Sequence, residues 1–280
     1  YLGISKMKYQ INFLILKTGE VNLLLRYLSY IYFDNMRIAV IGGTGFIGNH
    51  LVKLLVGNKI NLLVTGTNLE KAKQSEWFNS VDFLELNLNE FNDNKKISRI
   101  AECDKIIHLA WGGLPNYKDL FHFENELFVQ YNFIKSLVLN GVKDITITGT
   151  CLEYGMIEGA LSTEIVTNPQ NPYAIAKDTL RKFLTKLQST NSFELKWLRL
   201  FYMYGSGQSE KSILSQLDRA IQNGEEYFNM SGGEQIRDYL DVKEVVQLIL
   251  NASIKKPNGV YNICSGNPIS IKQLVENYLT

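Results

Sequence analysis

A chain of 280 residues that is 45% hydrophobic can bury one large core, or a core with a smaller appendage. Its 29 Lys+Arg against 28 Asp+Glu leave a formal charge of +1, which excludes a broad basic field for nucleic acid or anionic membrane, so any anion must be met by a local group. Cys103, Cys151 and Cys264 are too widely spaced for a zinc-type pairing or a disulfide framework, so a reducing, cytoplasmic setting without a metal is expected.

In chain order, the apolar stretch from Ile11 to Phe33 is broken by Lys17, Glu20 and Arg26, which argues against a membrane span. No small-residue cleavage site follows a clean apolar run, which argues against a signal peptide. The chain starts at Tyr1, and Met36 directly precedes the first convincing strand, so residues 1–35 are expected to be an upstream extension outside the fold.

Arg37 to Ile41 is a short apolar run followed by Gly42-Gly43-Thr44-Gly45-Phe46-Ile47-Gly48 and then by the helical spacing of Ile47, Leu51, Leu54 and Leu55. Strand, glycine turn and helix in that order are the dinucleotide fingerprint in its G-x-x-G-x-x-G form. Gly42 and Gly45 let the backbone turn and approach a pyrophosphate, Gly48 lets helix pack on strand, and the first helical amides meet the phosphates. Strand-like runs recur at Asn61 to Thr65, Val81 to Leu86, Lys105 to Ala110, Asp144 to Thr148 and Phe193 to Leu200. Their alternation with helical segments predicts an α/β fold of Rossmann type, a doubly wound parallel sheet over residues 36–200. After Leu200 a helix from about Ser212 to Asn223, a turn at Ser231 to Gly233 and a short strand at Gly259 to Ile263 predict a smaller substrate lobe over 201–280. A helix beginning near Ser270 stops with the chain, so this lobe is expected to be cut short.

An acidic residue ending the second strand would select NAD by binding the ribose hydroxyls. Here the segment reads Val64-Thr65-Gly66-Thr67-Asn68, with neither an acid nor an arginine for a 2'-phosphate, so the expected cofactor is NADP or NAD with a slight tilt to NADP.

Tyr173 and Lys177, four residues apart behind Asn171-Pro172, fall on one face of a helix's first turn, with Asn171 as cap and Pro172 in first position. Bringing a tyrosine from about 10 to neutrality needs roughly 4 kcal/mol, and the neighbouring ammonium and helix dipole are both expected to favour the phenolate. Two other Tyr-x-x-x-Lys matches, Tyr131 with Lys135 and Tyr239 with Lys243, read as helix faces packed on a core, as in Phe128, Tyr131, Ile134 and Leu137. Thr150 follows a buried strand and would lie at the carboxyl edge, where open α/β sheets bind ligands and where a hydroxyl can hydrogen-bond a reacting carbonyl.

The glycine run, Thr150 and Tyr173 with Lys177 resemble the extended short-chain dehydrogenase/reductase family, the NAD-dependent epimerases and dehydratases of nucleotide sugars, over Met36 to Thr280. The resemblance implies that Tyr173 exchanges a proton with a sugar hydroxyl or ketone while hydride moves to or from nicotinamide. It also implies that Lys177 lowers the tyrosine and holds the nicotinamide ribose, and that Thr150 orients the substrate oxygen. Arg237, in Gln235-Ile236-Arg237-Asp238-Tyr239, matches the family arginine that binds the pyrophosphate of the nucleotide sugar, against the alternative of a salt bridge to Asp238 or Asp241. Asn87 and Leu88 stand where the family often has Asp-Leu beside adenine, and His108, Leu109 and Ala110 match its fourth-strand signature against the cofactor. His108, inside an apolar strand with no evident partner, reads as structural, and Tyr202 stands where many relatives carry asparagine.

Dehydratases of the family carry Asp-Glu after the catalytic threonine, where this chain has Cys151-Leu152, so dehydration is not expected. The 3,5-epimerizing members carry a cysteine two residues after the hydroxyl. Cys151 is one residue after Thr150, on the opposite face if the segment stays extended. What remains resembles the abequose-synthase-like reductases of nucleotide-linked 4-keto-6-deoxyhexoses, enzymes of deoxysugar biosynthesis for surface polysaccharide. A 4-epimerase with tightly bound NAD and a non-catalytic dinucleotide-binding regulator are the alternatives. The resemblance further implies a homodimer through Phe121 to Leu139 and Pro172 to Leu187, with a nucleotide-sugar substrate and neither nucleic acid nor membrane as partner.

Overall fold

The structure is a computed structural model and describes residues 36–279; the expected extension at 1–35 lies outside them. Seven parallel strands form the central sheet in the order β10-β6-β5-β4-β1-β2-β3. They are β1 (Arg37–Ile41), β2 (Asn61–Gly66), β3 (Asp82–Glu85), β4 (Lys105–His108), β5 (Asp144–Thr150), β6 (Glu194–Leu200) and β10 (Gly259–Ile263). The strand order reverses between β1 and β4, and the crevice at their carboxyl ends is where such sheets take ligands.

The alternation of side chains along the strands separates the two faces. Ala39, Ile41, Ile106, Ile145, Ile147, Leu195 and Trp197 pack against α3 (Asn94–Ala101), α4 (Leu127–Leu139) and α5 (Pro172–Gln188) in one buried cluster. The other face, with Ile38, Val40, Leu62 and Val64, is covered by α1 (Phe46–Gly57) and α7 (Val242–Lys255). Helix α5 carries its expected cap: the Asn171 side chain accepts from the Ala174 N–H at 2.9 Å, and Pro172 fills the first position. It buries Leu180, Leu184 and Leu187, each stabilising the fold by about 1.5–3 kcal/mol.

After Leu200 the chain forms two small strand pairs. β7 (Tyr202–Tyr204) lies parallel to β9 (Tyr239–Asp241), and β8 (Ile236–Arg237) lies antiparallel to β11 (Ile269–Ser270). Helices α6 (Ile213–Gln222) and α8 (Ile271–Leu279) bury Leu214, Leu217, Leu274 and Val275 together, with Tyr204, Phe228 and Met230 packed against them. The remaining helix, α2 (Leu69–Lys73), is capped by Asn68.

Two local expectations are corrected. Gly259 to Ile263, read as part of the smaller lobe, is the edge strand of the main sheet beside β6, since its five-residue register along Lys196 to Leu200 is a long-range pairing with no local sequence mark. Tyr239, read as a helix-face residue, lies in β9; Asp241 accepts from the Lys243 N–H and starts α7 only at Val242, so Tyr239 and Lys243 do not share a helix face. Tyr131 does sit on α4, with its ring 5.5 Å from that of Phe183.

Candidate active site

A cavity of about 700 Å³ opens at the carboxyl ends of β1 and β4. All ten expected dinucleotide-binding residues outside α5 line it: Gly42, Gly45, Phe46, Ile47, Gly48, Thr65, Asn87, Leu88, Leu109 and Ala110. Gly42 has φ +87° and donates its N–H to Thr65 Oγ1 at 3.3 Å, while a Cβ on Gly48 would fall 2.2 Å from the Gly42 carbonyl oxygen. Only glycine satisfies both constraints. No side chain caps α1, so the N–H groups of its first turn stay available to an anion. This cradle fits the pyrophosphate of a dinucleotide. Beside it, Thr65, Gly66 and Thr67 form a rim without a carboxylate, as expected. Among the described residues lining the cavity there is also no Lys or Arg for a 2'-phosphate, so the tilt to NADP rests on the missing acid alone.

Trp111, next on the wall, connects the cavity to the tyrosine. Tyr173 is 8% exposed, and its ring lies 5.8 Å from Trp111, 5.3 Å from Tyr117 and 5.4 Å from His122. Its hydroxyl has no hydrogen-bond partner among the described residues. His122 is locked in place: its Nδ1 accepts from Trp111 Nε1 at 3.1 Å, so its Nε2 carries the hydrogen and donates to the Asn116 carbonyl at 2.9 Å. Lys177 is 2% exposed; its Nζ donates to the Thr148 carbonyl at 2.7 Å and sits 4.1 Å from the centre of the Trp111 ring. Trp111 rather than Lys177 lines the cavity at this point.

Burial reverses the expected electrostatics of the pair. It pushes the Tyr173 phenol well above its ordinary value, with Tyr117, Glu153 and Cys151 adding to the rise, and it pushes the Lys177 ammonium down to about 7. The loss of hydration holds Tyr173 as a phenol.

Thr150 ends β5 and its Oγ1 accepts from the Leu152 N–H at 3.3 Å. The strand stops there: Cys151 to Tyr154 form a 3-10 turn, so Cys151 does not lie on the opposite face of an extended segment. The turn places its thiol in the electrostatic company of Tyr117, Tyr173 and Arg237, and burial, then Glu153, pushes it up to about 12. It is a thiol near Tyr117 and Tyr173. Glu153 closes the same turn and is fully buried. It accepts from the Thr150 N–H at 2.9 Å, Trp197 Nε1 at 2.9 Å and Arg199 Nε at 2.8 Å. Its T-x-x-E spacing from Thr150 is a capping box, a signal that sequence reasoning passed over. Trp111, Tyr117, His122 and Glu126 were also missed, and no local pattern marks them.

Arg237 forms neither of the salt bridges weighed for it. Asp238 instead accepts from the N–H groups of Ser265 and Gly266, and Asp241 caps α7. The guanidinium lies 5.5 Å from the Tyr202 ring, which in turn packs on Tyr239, and no carboxylate among the described residues pairs with it. His108 has a partner after all: its Nε2 meets Gln130 Oε1 on α4, the helix that covers its face of the sheet.

Compared with known families, residues 38–264 match the NAD dependent epimerase/dehydratase family. The chain belongs to that family. It is an extended short-chain dehydrogenase/reductase and an NAD-dependent enzyme. It is 30% identical over 247 residues to the dTDP-6-deoxy-L-talose 4-dehydrogenase (NAD(+)) of Aggregatibacter actinomycetemcomitans, covering 87% of this chain and 90% of that one. It is 28% identical over 189 residues to the GDP-6-deoxy-D-mannose reductase of Pseudomonas aeruginosa, covering 62% of this chain and 61% of the relative. The crystal structure of the Thermotoga maritima UDP-glucose 4-epimerase has the same fold, with a TM-score of 0.73 at 24% identity over 86% of this chain and 81% of that one. No helix of the described residues is long and apolar enough to cross a membrane.

One stability prediction arises here. Burial pushes His108 down to about 4, against about 6.5 in an unfolded chain, so the fold holds a neutral imidazole. The stability this contributes is present above pH 6.5 and is lost as pH falls toward 4; between pH 7 and 5 the loss is about 2 kcal/mol. Urea unfolding at the two pH values should show that loss, and His108→Gln should reduce it. An unchanged pH dependence in the variant would refute the assignment.

Proposed function

We propose that the protein reduces a nucleotide-linked 4-keto-6-deoxyhexose, with hydride added to C4 and the proton supplied by Tyr173. The observation that carries this reading is the buried, unpartnered phenol of Tyr173, which keeps its proton and is set beside a cavity built for a dinucleotide. A 4-dehydrogenase and a 4-ketoreductase perform the same hydride transfer in opposite directions, so the 6-deoxy-L-talose relative supports the same carbon and the same class of sugar.

The reduced dinucleotide supplies the hydride when bound. The residues of the chain do the rest. Thr150 orients the C4 carbonyl by a hydrogen bond to its oxygen, and Tyr173 donates the phenolic proton to that oxygen as negative charge develops there. Lys177, held by the Thr148 carbonyl, stabilises the phenolate left behind. Arg237, without a carboxylate partner, binds the diphosphate of the nucleotide sugar. Residues 36–200 hold the dinucleotide and residues 201–280 mainly the nucleotide sugar. Phe128, Leu139, Ile175 and Phe183 are exposed on α4 and α5 and carry a homodimer in this reading, which sedimentation velocity would detect.

Purified protein mixed with NADH and a nucleotide-linked 4-keto-6-deoxyhexose should lose the absorbance of reduced nicotinamide, with NMR assigning the C4 configuration of the product. A 4-epimerase is the second reading, favoured by the fold shared with the UDP-glucose 4-epimerase. Stoichiometric NAD in the purified protein, together with no consumption of added NADH, would replace the reductase by the epimerase.

A further inference from the structure

Glu126 is a buried carboxylate that the reaction above does not use. It ends the π-helical turn His122–Glu126 that leads into α4, and it lines the cavity beside Trp111 and Gly112. A directed chain of hydrogen bonds holds it. His108, kept neutral by burial, donates through Nε2 to Gln130 Oε1; Gln130 Nε2 donates to the Ala110 carbonyl at 3.0 Å and to Glu126 Oε1 at 2.8 Å. The Gly112 N–H adds a further donor to Oε1 at 2.7 Å. Every group that reaches Glu126 is therefore a donor, which suits an acceptor-only carboxylate. Its other oxygen, Oε2, has no partner among the described residues and is not sealed from the cavity. Among the described residues no Lys, Arg or His forms a salt bridge with it.

The position of this charge matters because of what lies next to it. Hydride and proton must reach the carbon and oxygen of one carbonyl, so the nicotinamide ring has to lie at the Tyr173 end of the cavity. Trp111 packs edge-on against Tyr173 at that end, and Glu126 is a neighbour of both Trp111 and Lys177. The oxidised nicotinamide ring is a cation and the reduced ring is neutral. A fixed carboxylate in the wall separates the two by Coulomb attraction, which a partly buried charge exerts with less screening than one in bulk water.

We infer that Glu126 sets the redox preference of the site, holding oxidised over reduced nicotinamide by the charge of its cavity-facing oxygen. This rests on the reading of the cavity as the dinucleotide site. The carboxylate favours hydride leaving the ring on the protein, and it slows release of the oxidised form, so cofactor exchange becomes the step most sensitive to this residue. The Lys177 ammonium acts in the opposite sense, and burial, which pushes it down to about 7, leaves only part of it charged near that pH.

Dissociation constants for NAD+ and NADH, measured by calorimetry on the full chain, test the inference without turnover. Glu126→Gln keeps an acceptor for Gly112 and Gln130 and removes only the charge. The ratio of the NAD+ constant to the NADH constant is expected to rise about tenfold, equivalent to ~1.4 kcal/mol. Glu126→Asp, which keeps the charge and loses packing, should leave the ratio near that of the wild type, as should Glu124→Gln on the exposed side of the same turn. An equal change in both constants in Glu126→Gln, or a shift of the ratio in Glu126→Asp as large as in the glutamine variant, would overturn the inference and make Glu126 a packing residue. Should Glu126→Gln fail to fold, the wild type still decides: NADH held as tightly as NAD+ would overturn it. Wild-type protein that binds neither dinucleotide would instead overturn the cavity assignment, a failure distinct from that of Glu126.

Discussion

Tyr173→Phe is expected to lower kcat for ketone reduction by about 10²–10⁴-fold, the usual contribution of a positioned general acid. The ring packs on Trp111, Tyr117 and His122, and those contacts survive in phenylalanine. The hydroxyl has no partner to lose among the described residues, so thermal stability should stay within about 0.5 kcal/mol of the wild type, the range of substitutions away from packing and hydrogen-bond networks. Dinucleotide affinity should change little for the same reason. Steady-state kinetics with saturating NADH, beside a thermal melt, separates the outcomes: unchanged turnover in a folded variant would remove Tyr173 from the mechanism.

Glu153→Ala should have the largest effect on stability. The glutamate receives the Thr150 N–H, the Trp197 indole and the Arg199 guanidinium in a fully buried network, and Arg199 itself is 2% exposed. Removing the anion leaves a buried cation without its partner, a change that costs about 3–5 kcal/mol. Tm should fall by roughly 10 °C for a chain of this size. Thr150 loses the acceptor of its own N–H, so residual folded protein should also turn over more slowly. A melt within a degree or two of the wild type would mean that water replaces the glutamate at no cost, and that the network does not hold Thr150.

The reasons these residues were or were not legible in the sequence differ. The glycine turn from Gly42 to Gly48 was readable because its demands are local: a strand must end, the backbone must reverse, and a helix must start without a side chain in the way. Tyr173, Lys177 and Thr150 were readable for the same reason, since helical spacing and a strand end are short-range patterns. Glu153 could have been read from its capping-box spacing after Thr150. Glu126 could not, because Gly112 directly, and His108 through Gln130, reach it only once the end of β4 and the segment after it fold against α4 and the turn before it.

The sequence by itself determined the layered α/β architecture, the glycine turn between first strand and first helix, and the helix start that carries Tyr173 and Lys177, because periodicity and turn chemistry act over a few residues. Only the tertiary structure decided that Gly259 to Ile263 completes the main sheet, that Tyr239 belongs to a strand, and that the turn after Thr150 brings Cys151 near Tyr117 and Tyr173. It also decided the sign of the Tyr173 electrostatics. A neighbouring ammonium and a helix dipole are visible as spacing, but the loss of water around a phenol enclosed by Trp111, Tyr117 and His122, which raises the phenol, is a property of packing.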